Sequence, residues 1–190
     1  MTAAGRCLWC GDDPLYVAYH DNEWGRPARD ERALFALLML EGFQAGLSWI
    51  TILRKREAFA AAFAGWDPVR VAAFDETDRA RLLADAGIVR NRLKIDGAIR
   101  NAQAWLALRE ATGDPAAWIW AFVGGATLDR PALLVQADVP ARTAESDALA
   151  AALKARGFTF VGSTICYAFM QSAGLVTDHL ATCPARSLPD

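Results

Sequence analysis

Only two of the 190 residues are histidine and only four are cysteine, at positions 7, 10, 166 and 183. Residues 1–15 lack an apolar run, so no export signal is expected. Disulfides are then not expected either, and the cysteines read as metal ligands or buried thiols. Positive charge is not in excess: 20 Lys and Arg stand against 22 Asp and Glu, for a net charge of −2. Binding to a nucleic acid would need a local basic patch, because the field of the whole molecule does not help. Lysine itself is rare; Lys55, Lys94 and Lys154 leave 17 of the 20 cations as arginines, whose planar forks suit bidentate phosphate contacts. No stretch alternates apolar and polar residues for more than a few positions, and no internal repeat is present, which argues against a half-exposed sheet and against a solenoid. What the chain has in quantity is apolar material, 54% of residues with seven tryptophans, enough for a sizeable core. The expectation is an all-α, soluble, cytoplasmic protein with one domain over residues 1–190.

Residues 34–53, LFALLMLEGFQAGLSWITIL, hold 20 residues and a single charge, Glu41. About 20 apolar residues can cross a bilayer. Gly42, Gln44, Gly46, Ser48 and the acid instead favour two buried helices joined by a glycine-rich elbow. Glu41 follows Leu38, Leu37 and Leu34 by three, four and seven residues, which puts its carboxylate on the leucine stripe of a helix, facing inward. A carboxylate in a core is costly unless paired or functional. Trp49 lies eight residues on, past the elbow, where it can fold back over the acid. A locally paired or capping role for Glu41 is the alternative.

Residues 1–30 are irregular and aromatic, with space for one helical turn between Pro14 and Pro27, and read as a wall packed on the core. Asp30 is placed as the N-cap of the helix through 34–41, and Ser48 as the cap of a second helix running to about 63. Asp67 before Pro68 opens a short helix to 74, and Asp114 before Pro115 opens the helix of Trp118 and Trp120. Between them lie helices over 78–86, stopped by Gly87, and over 92–112, with Ile95, Ile99, Ala102 and Leu106 on one face. Residues 124–142 read as a linker. Ser146 caps a helix ending at Gly157, and Ser163 or Thr164 starts the last one, ended by Gly174.

Each histidine sits near a cysteine: His20 is thirteen residues after Cys7, and Cys183 is four after His179. Two Cys and two His make a complete, closed tetrahedral zinc set that would tie the first thirty residues to those from about 175 to 190. Cys7-x-x-Cys10 is a knuckle spacing, so a set of Cys7, Cys10, one His and Cys183 is equally open. The second constellation is the αα-hairpin over about 78–112. Its turn at Gly87, followed by Arg90, Asn91, Arg92 and Lys94, has the look of a helix–hairpin–helix DNA-binding element, in which loop N–H groups and a helix N-terminus meet one phosphate. A plain αα-hairpin with surface arginines is the alternative. Two other function classes stay in view: a non-catalytic DNA-binding module, which has no use for an acid among aromatics, and a thiol sensor, which needs an exposed Cys7-x-x-Cys10.

Several stretches together resemble the bacterial 3-methyladenine DNA glycosylase I family of the helix–hairpin–helix superfamily. They are DPLY at 13–16, YHDNEWG at 19–25, Glu41-Gly42, QAGLSWI at 44–50, the hairpin, and GF at 157–158 with FVGSTICY at 160–167. The likeness runs from about Cys7 to Cys183. It implies a helix–hairpin–helix glycosylase fold, double-stranded alkylated DNA as substrate, and release of free 3-methyladenine. It also implies one structural Zn2+ held by Cys7, His20, His179 and Cys183, leaving Cys10 out. Its base pocket falls on Glu41, Tyr19 and Trp49, with Trp9 and Tyr16 as further walls. An N3-methylated purine is already cationic, so its glycosidic bond is weakened and the enzyme can work by selecting the base. Glu41 can accept hydrogen bonds from that cation while aromatic faces stack on it. Leu47, on the elbow, is a candidate wedge for the vacated stack. The expected state is a monomer with no membrane contact.

Overall fold

Aspartate starts five of the ten α-helices among the described residues, which run 5–129 and 133–187 in this computed structural model. Asp13, Asp30, Asp67, Asp75 and Asp114 each accept from first-turn N–H groups of α1 (Pro14–Asn22), α2 (Glu31–Gln44), α5 (Pro68–Ala72), α6 (Glu76–Ala84) and α8 (Pro115–Trp120). Such a cap contributes ~1 kcal/mol. Between them stand α3 (Trp49–Leu53), α4 (Arg56–Ala62) and the long α7 (Arg92–Thr112), and α9 (Ala144–Ala155) and α10 (Ser163–Ser172) follow.

The core forms around α2, which packs on α10 and α7. Phe35 meets Trp105 of α7 at 5.3 Å between ring centroids, and Trp105 Nε1 donates to Glu31 Oε1 at 2.7 Å. Phe43 continues the core toward Phe59 and Phe63, so both faces of the α2 C-terminal half are covered. Glu41 is therefore held by a helix with little freedom to move.

The all-α expectation holds with one small exception. β1 (Leu128–Asp129) pairs in parallel with β2 (Val176–Thr177). Residues 124–142 are thus no plain linker: they also carry a 3-10 turn, Gln136–Asp138, that reaches the site described below. Residues 130–132 of that segment, and 1–4 and 188–190 of the two chain ends, lie outside the described residues.

Four other expectations need correction. The segment between Pro14 and Pro27 forms a nine-residue helix, because Asp13 caps it and Pro14 begins it. The helix expected from 48 to about 63 breaks at Arg54 and Lys55, where Lys55 Nζ is drawn to the carbonyls of Ala86 and Gly87 at 2.9 and 3.1 Å. α6 begins two residues earlier than expected, since Asp75 and Asp78 make a capping box. Ser146 does not cap α9; Thr143 does, and Ser146 is its capping-box partner.

Candidate functional site

Glu41 faces inward, as the leucine stripe predicts: it is 3% exposed, beside Leu34 and Leu38 at 0% and 1%. No salt bridge reaches it among the described residues, and its Oε2 has no hydrogen-bond partner. Burial pushes its carboxyl up to about 8, with the Ser172 side chain pulling the other way. An isolated carboxylate in such a place is costly, so burial favours the neutral acid, and a positive charge placed beside it would favour the carboxylate.

The acid opens into a cavity of about 200 Å³ whose walls include Trp9, Tyr16, Tyr19, Trp24 and Trp49. Trp49 does fold back across the elbow: its ring lies 5.6 Å from that of Tyr19. Trp9 meets Tyr16 at 5.0 Å and Trp24 at 4.9 Å, both edge-on. Three further buried polar atoms on these walls lack partners, Tyr19 Oη, Trp49 Nε1 and Gln136 Oε1. Buried polar groups are normally paired. Two acceptors, one donor and one hydroxyl, all unsatisfied and all around one cavity, describe a site waiting for a flat polar ligand. Burial and the nearby Glu41 hold the Tyr19 hydroxyl well above its usual range, so it stays a phenol that can donate.

Sequence reasoning placed Glu41, Tyr19, Trp49, Trp9 and Tyr16, and the structure brings all five together. It missed Trp24, Gln44, Gln136, Val139 and Gln171. Trp24 lies in the YHDNEWG stretch and Gln44 in the QAGLSWI stretch, so both are legible in the sequence. Gln136 sits in a polar segment without periodicity and offered no signal.

The elbow turns at Gly46, whose φ of +79° suits glycine, and the Leu47 N–H closes it on Gln44 O at 2.6 Å. Leu47 is 42% exposed, so it is not an ordinary core leucine. α6 and α7 are consecutive helices that pack on one another as an αα-hairpin. At its turn the Gly87 N–H donates to Asp85 Oδ1 at 2.7 Å, and a Cβ on Gly87 would meet Asp85 Oδ1 and Ala58 Cβ at 2.9 and 3.0 Å. Asn91 is the N-cap of α7, Arg90 is exposed, and Arg92 is exposed but paired with Glu76 at 3.0 Å. Lys94 behaves differently: its Nζ donates to Phe43 O at 2.8 Å and Ala45 O at 2.6 Å.

A second cluster joins the chain ends. Cys7, His20, His179 and Cys183 are all buried, with ligand atoms within 4.8 Å of one another. Cys183 Sγ lies 3.5 Å from both His20 Nε2 and His179 Nδ1, and Cys7 Sγ lies 3.8 Å from His179 Nδ1. A tetrahedral zinc with bonds of ~2.0–2.3 Å separates its donors by roughly 3.3–3.8 Å, a range that includes these three separations, and the widest pair, at up to 4.8 Å, would have to close by about an ångström. The outward nitrogens are fixed: His20 Nδ1 meets Asp21 Oδ1 at 2.7 Å and His179 Nε2 meets the Trp24 carbonyl at 3.1 Å. Both partners accept only, so each ring turns a bare nitrogen to the centre. Gly25 is required beside it, since a Cβ there would come within 3.2 Å of His179 Nε2. Cys10 is outside the set; its Sγ donates to Cys7 O at 3.1 Å. Cys7 and Cys10 are both buried, so the exposed thiol pair that a sensor needs is missing. The four residues can hold one metal ion.

The methyladenine glycosylase family model matches residues 9–187. DNA-3-methyladenine glycosylase 1 of Escherichia coli K12 is 52% identical over 179 residues, covering 94% of this chain and 95% of that one. DNA-3-methyladenine glycosylase of Haemophilus influenzae is 45% identical over 184 residues, with 96% and 98% covered. A solved structure of 3-methyladenine DNA glycosylase I from Staphylococcus aureus, which bears on recognition of 3-methyladenine, is 36% identical. It matches with a TM-score of 0.94 over 99% of this chain and 100% of that one. On sequence and on structure, the chain belongs to the methyladenine glycosylase family.

Proposed function

We propose that the chain is a monofunctional DNA-3-methyladenine glycosylase, a hydrolase that flips the damaged base out of alkylated duplex DNA and cleaves its N-glycosidic bond. The observation that carries this reading is Glu41, a fully buried acid without a counter-ion on an aromatic cavity ringed by unsatisfied polar atoms. N3-methylated adenine brings the missing positive charge. On its arrival Glu41 releases its proton to solvent and, as the carboxylate, accepts from the base, Tyr19 and Trp49 stack or donate, and Trp9 and Tyr16 complete the wall. Undamaged adenine is neutral and forfeits the charge-assisted part of this binding. Because the cationic base is a good leaving group, selection at Glu41 carries most of the specificity. Chromatography of bases released from N-methylated DNA tests the function. Free 3-methyladenine should appear with methylated and not with unmethylated duplex, and no release from either would refute it.

On this reading the hairpin is a helix–hairpin–helix element that grips the duplex backbone through Gly87, Arg90, Asn91 and Arg92, while Leu47 fills the gap left by the base. The protein is taken to work as one domain, as a monomer and in the cytoplasm; no helix among the described residues is long and apolar enough to cross a membrane. Arg90→Ala should weaken damaged and undamaged duplex equally and flatten the slope of log affinity against log salt by about one, since phosphate contacts carry no base information. Loss of discrimination alone would contradict the hairpin's role.

Cys7, His20, His179 and Cys183 would hold one zinc ion, which supplies no open coordination position and so closes the chain ends rather than reacting. Cys10→Ser should keep a full equivalent of zinc by metal analysis, because its sulfur already has another acceptor. A zinc-free Cys10→Ser protein would overturn the ligand set.

A further inference from the structure

Lys94 stands in the hairpin among cations that suit a phosphate, yet its ammonium is spent elsewhere. It bonds the carbonyls of Phe43 and Ala45, the two that bracket Gln44. Gln44 is the last residue of α2 and a wall of the base cavity, and Glu41 lies one turn earlier on the same helix. Carbonyls at a helix C-terminus have no partner within the helix, and a cation there is favourable. The elbow has few other ties: Ala45 N–H to Gly42 O at 3.4 Å and Leu47 N–H to Gln44 O at 2.6 Å are both local. α7 is also anchored from the far side, where Asn101 accepts from Thr159 N–H at 2.8 Å and Gly97 leaves room for the Phe160 ring. Burial holds the Lys94 amine below its usual range, in keeping with a group already withdrawn from solvent.

We propose that Lys94 is a positioning residue for base excision, not a phosphate contact: it clamps the elbow to the second hairpin helix so that Gln44 and Leu47 are presented correctly when duplex docks on the hairpin. DNA bound at the α7 N-terminus is thereby linked, through one side chain, to the rim of the base cavity. The inference rests on the glycosylase reading above, and its test is built so that the two can fail separately.

Lys94→Met keeps the stem and removes the ammonium. The salt slope for undamaged duplex should match the wild type, where loss of a phosphate contact would flatten it by about 0.9. The single-turnover rate of 3-methyladenine release at saturating enzyme should fall ten- to hundredfold, the scale of a small misplacement. Hydrogen exchange at the Ala45 and Leu47 amides should speed up relative to amides in the middle of α7. Lys94→Gln, which retains an N–H donor without charge, should recover part of the rate; if Lys94→Met does not fold, this variant carries the comparison. A flattened slope with an unchanged single-turnover rate would overturn the proposal in favour of a phosphate ligand. Unchanged elbow exchange would overturn it as well, and neither the slope nor the exchange measurement depends on catalysis. A wild-type protein that released no base would instead sink the glycosylase reading.

Discussion

Replacing Glu41 with Gln should weaken binding of free 3-methyladenine by roughly ten- to two-hundredfold while leaving undamaged-duplex affinity and zinc content in place. The amide keeps the shape and most of the hydrogen-bonding reach of the acid and removes only the charge. One charge-assisted hydrogen bond in a desolvated pocket is worth about 1.5–3 kcal/mol, which is that range of affinity. Stability should move the other way. The Glu41 carboxyl rises from an ordinary 4.5 to about 8 on folding, because it is buried. Between those values the native state holds a proton that the unfolded chain has lost, so wild-type stability falls with increasing pH across this window. Glu41→Gln lacks that titration. Its advantage should be absent below about pH 4.5, grow through the window, and level off above about pH 8, at no more than about 5 kcal/mol on ~1.4 kcal/mol per tenfold step. Urea melts of both proteins at a series of pH values measure it. A variant that is less stable yet binds the base normally would make Glu41 a structural group.

Stripping the metal should be the most damaging single treatment of the fold. Cys7 and His179 are 172 positions apart, and without an ion the two thiols and the two inward-facing imidazole nitrogens at that junction are left with only weak sulfur contacts across it. A buried polar group left unsatisfied costs about 1–3 kcal/mol, and 1 kcal/mol is worth about 2–4 °C in a chain of this size. A total near 4 kcal/mol corresponds to a drop in Tm on the order of 10 °C. The same histidines that join the chain ends also back the cavity: Trp24 meets the His179 ring at 4.7 Å, and Trp9 meets His20 at 5.2 Å. Tryptophan fluorescence should therefore change on chelation at temperatures well below the melt. Cys183→Ser should behave like the chelated wild type. Equal melting curves with and without chelator would show that the cluster holds no structural ion.

Local chemistry explains which parts of this architecture are legible in sequence. Asp30, Asp67 and Asp114 announce their helices because a cap needs only the next three residues. Glu41 is legible because a helical stripe is a short-range pattern. The break at Arg54 and Lys55 is not, since its cause is a carbonyl pair about thirty residues away in the hairpin turn. The same holds for Gln136 and Gln171, which reach the cavity from roughly 95 and 130 positions beyond Glu41 with no periodicity to mark them. Spacing alone left Cys10 and one of the two histidines as rival ligands beside Cys7 and Cys183, because the choice is made by how the two chain ends meet. Lys94 shows the same limit: composition shows a cation beside the hairpin turn, and only the fold shows which carbonyls it faces.

The most direct test of the central claim is the pH dependence of kcat/KM for 3-methyladenine release from DNA, from about pH 6 to about pH 10. The lesion in DNA carries a fixed positive charge at every pH, so any titration belongs to the protein, and kcat/KM reports the free enzyme. The account predicts that the wild-type value climbs as Glu41 ionises, passes through half its maximum near pH 8 and levels off above about pH 9, whereas Glu41→Gln gives a low, flat profile. Matching profiles and matching rates for the two proteins would contradict it, because the buried charge would then have no part in choosing the base.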